Sequence, residues 1–155
     1  MRHAHAHDRQ GRAARLAALL VGGLAVYALF AGMVAVWRYG WRDLFADAWR
    51  IYANYLSLTF PHDVLALENG HRPVLPALLR VAEMHVVAAD HSVQWLAGLV
   101  LAAGSVLAGW WIVLRDRDVE SLGQAAAALV VAVAVFWLAN ARMLMHPIES
   151  VQTYL

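Results

Sequence analysis

Carboxylates, imidazoles and guanidinium groups crowd one stretch of the chain, residues 38–92, and nearly vanish from the long apolar runs on either side. The stretch holds Asp43, Asp47, Asp63, Glu68, Glu83 and Asp90, together with His62, His71, His85 and His91. Asp43 and Asp47 stand four apart, so on a helix they share a face. A carboxylate pair placed so can act as general base toward a hydroxyl, or hold a divalent cation. The densest run is Glu68-Asn69-Gly70-His71-Arg72-Pro73. Pro73 suits the first turn of a helix, where its missing N–H costs nothing. A helix start offers an anion free N–H groups and the positive end of the dipole. His71 and Arg72 beside it are the natural phosphate holders, since arginine presents two parallel donors. Glu68 and Arg80 complete the candidate substrate-binding set, and Asp43 and Asp47 are the candidate catalytic pair.

Each feature has a plainer reading. Asp43, Asp47 and Arg50 also describe the solvated face of a surface helix with i,i+3 and i,i+4 pairing. His71 and Arg72 can simply anchor at lipid headgroups. His3, His5 and His7 alternate in a polar tail, where three imidazoles can take a metal but a flexible segment is the expectation. His62-Asp63 with Asp90-His91 has the residue types of a zinc cluster, with nothing in the spacing to fix a geometry.

The elements that must position these groups are apolar. Hydrophobic residues make up 62% of the 155 residues and charged residues 15%, against about 45–50% and about 25% in ordinary soluble domains. Leu16 to Trp37 is 22 residues without a charge, about 33 Å as a helix, enough for a hydrocarbon core of roughly 30 Å. No convincing small-x-small cleavage site follows before Trp37-Arg38-Tyr39, so it reads as an uncleaved signal anchor. Val93 to Leu114 is a second such run, and Leu122 to Ala139 a shorter third, softened by Gln124. Ala28-x-x-x-Gly32 and Ser105-x-x-x-Gly109 permit close helix packing. Between the first two runs, Trp41, Leu44, Phe45, Ala48, Trp49, Tyr52 and Tyr55 recur at three and four. Asp43, Asp47, Arg50 and Asn54 lie opposite them, the pattern of an interfacial amphipathic helix. Val74 to Ala89 is a second helix, too short and too polar to span. The expected fold class is therefore all-α and polytopic, with three transmembrane helices and two interfacial or re-entrant helices in the first outer loop.

Orientation follows the arginines, because short cytoplasmic segments collect them. Arg2, Arg9, Arg12 and Arg15 precede the first run, and Arg115-Asp116-Arg117-Asp118 joins the second to the third. The N-terminus is thus expected in the cytoplasm, with 38–92 and 140–155 outside. All twelve basic residues are Arg, which with abundant Ala points to a GC-rich bacterial genome and to the bacterial inner membrane. The absence of cysteine excludes disulfides and thiolate metal sites. No basic face with interleaved aromatics exists, so nucleic acid is not an expected partner. Met145 to Gln152 reads as another outer loop, which predicts a longer protein or a truncated reading frame.

A signal anchor, an outer loop with acidic residues on an interfacial helix, then Glu68-Asn69-Gly70-His71-Arg72-Pro73-Val74-Leu75-Pro76, a second helix and two spans: this order resembles the front of the GT-C class of polytopic glycosyltransferases. The resemblance covers roughly residues 16–155. It implies transfer of a sugar from a polyprenyl-phosphate donor at the outer face. Asp43 or Asp47 would occupy the family's acidic position, and His71 to Pro76 the element leading into its re-entrant segment. The chain departs from the pattern in having Asp43-x-x-x-Asp47 in place of a closely spaced acidic pair, and in having fewer spans. The alternative expectation is a small non-catalytic membrane subunit or scaffold. Its partners would be membrane lipid and other membrane subunits, bound through its helices and outer loop.

Overall fold

A computed structural model describes residues 2–40, 48–68, 70, 72–137 and 140–146. Six helices follow one another there: α1 (Arg2–Tyr39), α2 (Ala48–Ser57), α3 (Val74–Val87), α4 (Ser92–Arg115), α5 (Ser121–Val135) and α6 (Ala141–Met145). The fold is all-α. Two helices are long and apolar enough to cross a membrane, α1 over Gly11–Tyr39 and α4. The third apolar run forms α5, whose 15 residues span only about 22 Å.

Helix α1 begins at Arg2, well before the apolar run and through the tail expected to be flexible. The physical reason lies in propagation. Ala, Arg and Gln are good helix formers, and extending an existing helix costs far less than nucleating a new one. Proline is absent until Pro61, so nothing stops the extension.

The chain divides into two compact units. The first comprises residues 1–35 and 103–140. Its core is Leu29 of α1, Val106 of α4 and Ala132 of α5, flanked by Met33, Trp110 and Phe136. Small residues let these helices approach. A β-carbon at Gly32 would fall 2.5 Å from Cγ of Phe136, and one at Gly109 2.8 Å from a methyl of Val131. The two small-residue pairs of the sequence thus mark contact points. Trp110 donates its indole N–H to the Ala128 carbonyl at 2.7 Å. Gln124, polar within an apolar run, donates to the Asp116 carbonyl at 2.6 Å and so closes the α4–α5 loop. Arg115 lies over the Trp111 ring at 3.8 Å. Elsewhere the unit presents apolar surface: Leu19, Leu20, Tyr27 and Val130 are all exposed.

The second unit comprises residues 36–102 and 141–155. Tyr55, Val64 and Ala77 form its apolar core, with Ile51, Val81 and Met84 packed around them. Trp37 of α1 meets Trp95 of α4 with ring centroids 4.6 Å apart.

Gly32 supplies a test of the first unit. Alanine in a helix gains about 1 kcal/mol over glycine, whereas overpacking a filled contact costs about 1–3 kcal/mol. The clash with Phe136 leads us to expect that Gly32→Ala lowers stability, and that Phe136→Leu in the same chain restores part of it. Unfolding of purified protein in detergent, followed by circular dichroism, measures both. A more stable Gly32→Ala variant would mean that α1 and Phe136 do not meet.

Candidate functional site

The polar groups of the second unit turn inward. Arg80 of α3 is fully buried, Glu83 and Gln94 nearly or wholly so, and Glu68 is 8% exposed. Isolated charges at such depth are prohibitively costly, and pairing with complete hydrogen bonding is what makes burial tolerable. Here Nη1 of Arg80 donates to Oε1 of Glu68 at 2.5 Å and to the Tyr55 hydroxyl at 3.1 Å. The Tyr55 hydroxyl in turn donates to the same Glu68 oxygen. Three elements are tied at one point: α2 through Tyr55, α3 through Arg80, and the connecting loop through Glu68.

A second cluster forms one turn further along α3. Glu83 accepts the backbone N–H groups of Val93 at 2.7 Å and Gln94 at 3.2 Å, and the Gln94 side-chain amide. That amide also donates to the Tyr52 hydroxyl at 2.7 Å, which lies 3.0 Å from Nδ1 of His91. Asp90 accepts from the Ser92 N–H at 2.9 Å, and the Trp95 N–H reaches the His91 carbonyl at 3.0 Å. The N–H groups of Ser92, Val93 and Gln94, which lack a partner within the helix, are therefore all satisfied at the start of α4. Ala88, Ala89 and His91 take positive φ, and this tight link is what returns the chain so that Glu83 meets the start of the next helix.

Tyr52 and Tyr55 belong to the apolar stripe expected to face lipid. Instead both are buried within the protein, because their phenols have partners there and would have none in hydrocarbon. Burial, partly opposed by the hydrogen bond from Gln94, pushes the Tyr52 phenol up to about 12. Burial and then the bond to Glu68 push Tyr55 up as well.

Of the residues singled out from sequence, Glu68 and Arg80 come together as a buried ion pair. Arg72 is exposed, two residues ahead of α3, and follows Gly70, whose φ of 85° only glycine adopts freely. Asp43, Asp47 and His71 lie outside the described residues. His62, Asp63, Asp90 and His91 do not converge, and among the described residues no three His, Asp or Glu side chains group around a metal-sized site. Sequence reasoning missed Tyr52, Tyr55 and Gln94. The available signal was the pairing of two hydroxyl-bearing aromatics, three apart, with a glutamine in the first turn of an apolar run.

Two outcomes test this network. Removing one member of a buried ion pair costs about 3–5 kcal/mol, so Arg80→Met should be strongly destabilising, while adding Glu68→Gln to it should cost less than the two changes summed. Strict additivity in that double-mutant cycle would deny the pair. Raised phenol values make a second prediction. The Tyr52 phenol ionises near pH 10 in the unfolded chain and near 12 in the folded one, so its contribution to stability is whole below pH 10 and falls as pH rises toward 12. Tyr52→Phe should shrink that alkaline loss while costing about 1–3 kcal/mol at neutral pH, both read from unfolding curves across pH.

No protein-family model matches the chain, and neither does any curated protein or solved structure, so the reading of this site rests on its own geometry.

Proposed function

We propose that the chain is a multi-pass protein of the bacterial inner membrane that handles a lipid-linked, phosphate-bearing sugar at the outer face, in the manner of the GT-C glycosyltransferases. The observation that carries this reading is the division within the Glu68–Pro73 run. Glu68 is buried and bonded to Arg80 and Tyr55, whereas Arg72 is exposed just before α3. A loop anchored at its base holds its outer residues at low entropic cost, and preorganisation of that kind is what raises affinity for a ligand. An exposed guanidinium beside a helix start is suited to one phosphate group.

In this reading α1, α4 and α5 make three spans, with the N-terminus and the Arg115–Asp118 loop cytoplasmic. Helices α2 and α3 ride at the outer interface, and Asp43 or Asp47 supplies the base for the acceptor hydroxyl. The apolar exposed surface of α1 supports the membrane assignment, since a soluble monomer rarely leaves contiguous apolar area of that extent in water. A divalent cation belongs to the proposal only through Asp43 and Asp47.

One observation favours the second reading, a non-catalytic membrane subunit. Glu68 and Arg80 are paired with each other and buried, so they hold the loop and are not offered to a substrate. Titration of purified protein with a short-chain prenyl-phosphate sugar separates the two. Arg72→Ala should weaken binding by about 10- to 150-fold, the worth of a charge-assisted hydrogen bond, and Arg72→Lys by less. Asp47→Asn should spare binding and stop transfer. Unchanged affinity in a folded Arg72→Ala variant would transfer the assignment to the subunit.

A further inference from the structure

The second unit contains a cleft of about 540 Å³ that meets the polar network only at Tyr55, within the range of about 300–1,000 Å³ typical of small-ligand sites. Leu56 of α2 and Val81 and Met84 of α3 give it apolar walls, and Thr59, Asp63 and His85 line it as well. Asp63 is the anomaly. Its side chain is 5% exposed, yet its one hydrogen bond is the N–H of its own neighbour, Val64, at 2.7 Å. No cation among the described residues pairs with it. Glu68 and Glu83, buried equally well, each have several donors. The second carboxylate oxygen is not among the buried orphaned atoms, so it is open to the cleft and offers a negative charge to a ligand group there.

We propose that this cleft receives a primary ammonium group carried on an apolar body. The charge matches Asp63. An ammonium has three donors, and the Asp63 carboxylate with the Thr59 hydroxyl supplies acceptors. The aliphatic walls take the body. A metal ion is the poorer occupant, because among the described residues Asp63 joins no group of three ligating side chains. The site shares no residue with the Arg72 element, so it stands whether or not that element binds phosphate. Two sources carry the same chemistry: an ethanolamine phospholipid, or a soluble amine.

The test uses the full chain in a neutral detergent at neutral pH, titrated with benzylamine and with benzyl alcohol, which differ in charge and hardly in shape. Benzylamine should bind about ten-fold more tightly, the gap between a charge-assisted and a neutral hydrogen bond. Asp63→Asn keeps the oxygen that accepts from Val64 while removing the charge, and should abolish the preference. Leu56→Trp, a change at an exposed position, should fill the cleft and weaken both ligands. Equal affinity for the two probes in the unaltered protein overturns the proposal, and so does a preference that survives in Asp63→Asn. If Asp63→Asn does not fold, the probe pair and Leu56→Trp decide: benzylamine affinity that Leu56→Trp leaves unchanged also overturns it. Native mass spectrometry from bilayers of mixed phosphatidylethanolamine and phosphatidylcholine identifies the source. Selective retention of phosphatidylethanolamine, lost in Asp63→Asn, assigns the lipid. An amine preference without such retention assigns a soluble amine.

Discussion

The guanidinium of Arg80 has no access to solvent, and the local structure of the second unit follows from what that burial requires. A cation in low dielectric must have a carboxylate at contact distance, and the carboxylate must have donors of its own. Glu68 meets the first requirement and Tyr55 the second. Tyr55 comes from α2, Glu68 from the loop and Arg80 from α3, so satisfying one charge fixes three segments separated by up to 25 residues. Apolar contacts among Tyr55, Val64 and Ala77 supply area, but they are tolerant of small shifts. The ion pair is not, since a buried donor left without a partner costs about 1–3 kcal/mol or more.

Glu83 shows a different solution to the same problem. It is buried without an arginine of its own, and the start of α4 does the work of a cation. Two backbone N–H groups point at it, and the helix dipole contributes about half a positive charge there. The same contact benefits the helix, whose first N–H groups would otherwise be orphans. Tyr52 and Gln94 extend the cluster by hydrogen bonds alone. Among its described residues the first unit relies on a different device. Its helices meet through Gly32, Gly109 and a core of Leu29, Val106 and Ala132, where close approach replaces charge as the source of specificity.

How much of this was legible in the sequence depended on range. The helices α3, α4 and α5 could be read from runs of apolar residues and from Pro73, because those signals are local. The small-residue pairs announced close packing, though not that Phe136 and Val131 would be what they meet. Tyr52 and Tyr55 were placed on the correct stripe of α2 and given the wrong neighbour, since periodicity reports which face is apolar and not whether lipid or protein covers it. Glu68 and Arg80 were singled out individually, but a contact across 12 residues leaves no trace in spacing. The polar tail was read as flexible from its composition, where helix propagation from an adjoining apolar segment decided the outcome.

Conspicuous polar residues between two apolar runs invite assignment to chemistry, and burial sorts them. A group that binds substrate has to be reachable, and a group that is unreachable and bonded to other segments is holding something in place. Glu68, Arg80, Glu83 and Gln94 fall in the second class. Arg72 is reachable, four residues along the chain from Glu68, which belongs to that second class. Asp63 belongs to neither class cleanly, being buried, poorly bonded and at the edge of open space. Glu68 and Glu83 each accept from more than one donor, and among the described residues the Asp63 carboxylate stands apart from them in accepting only the Val64 N–H.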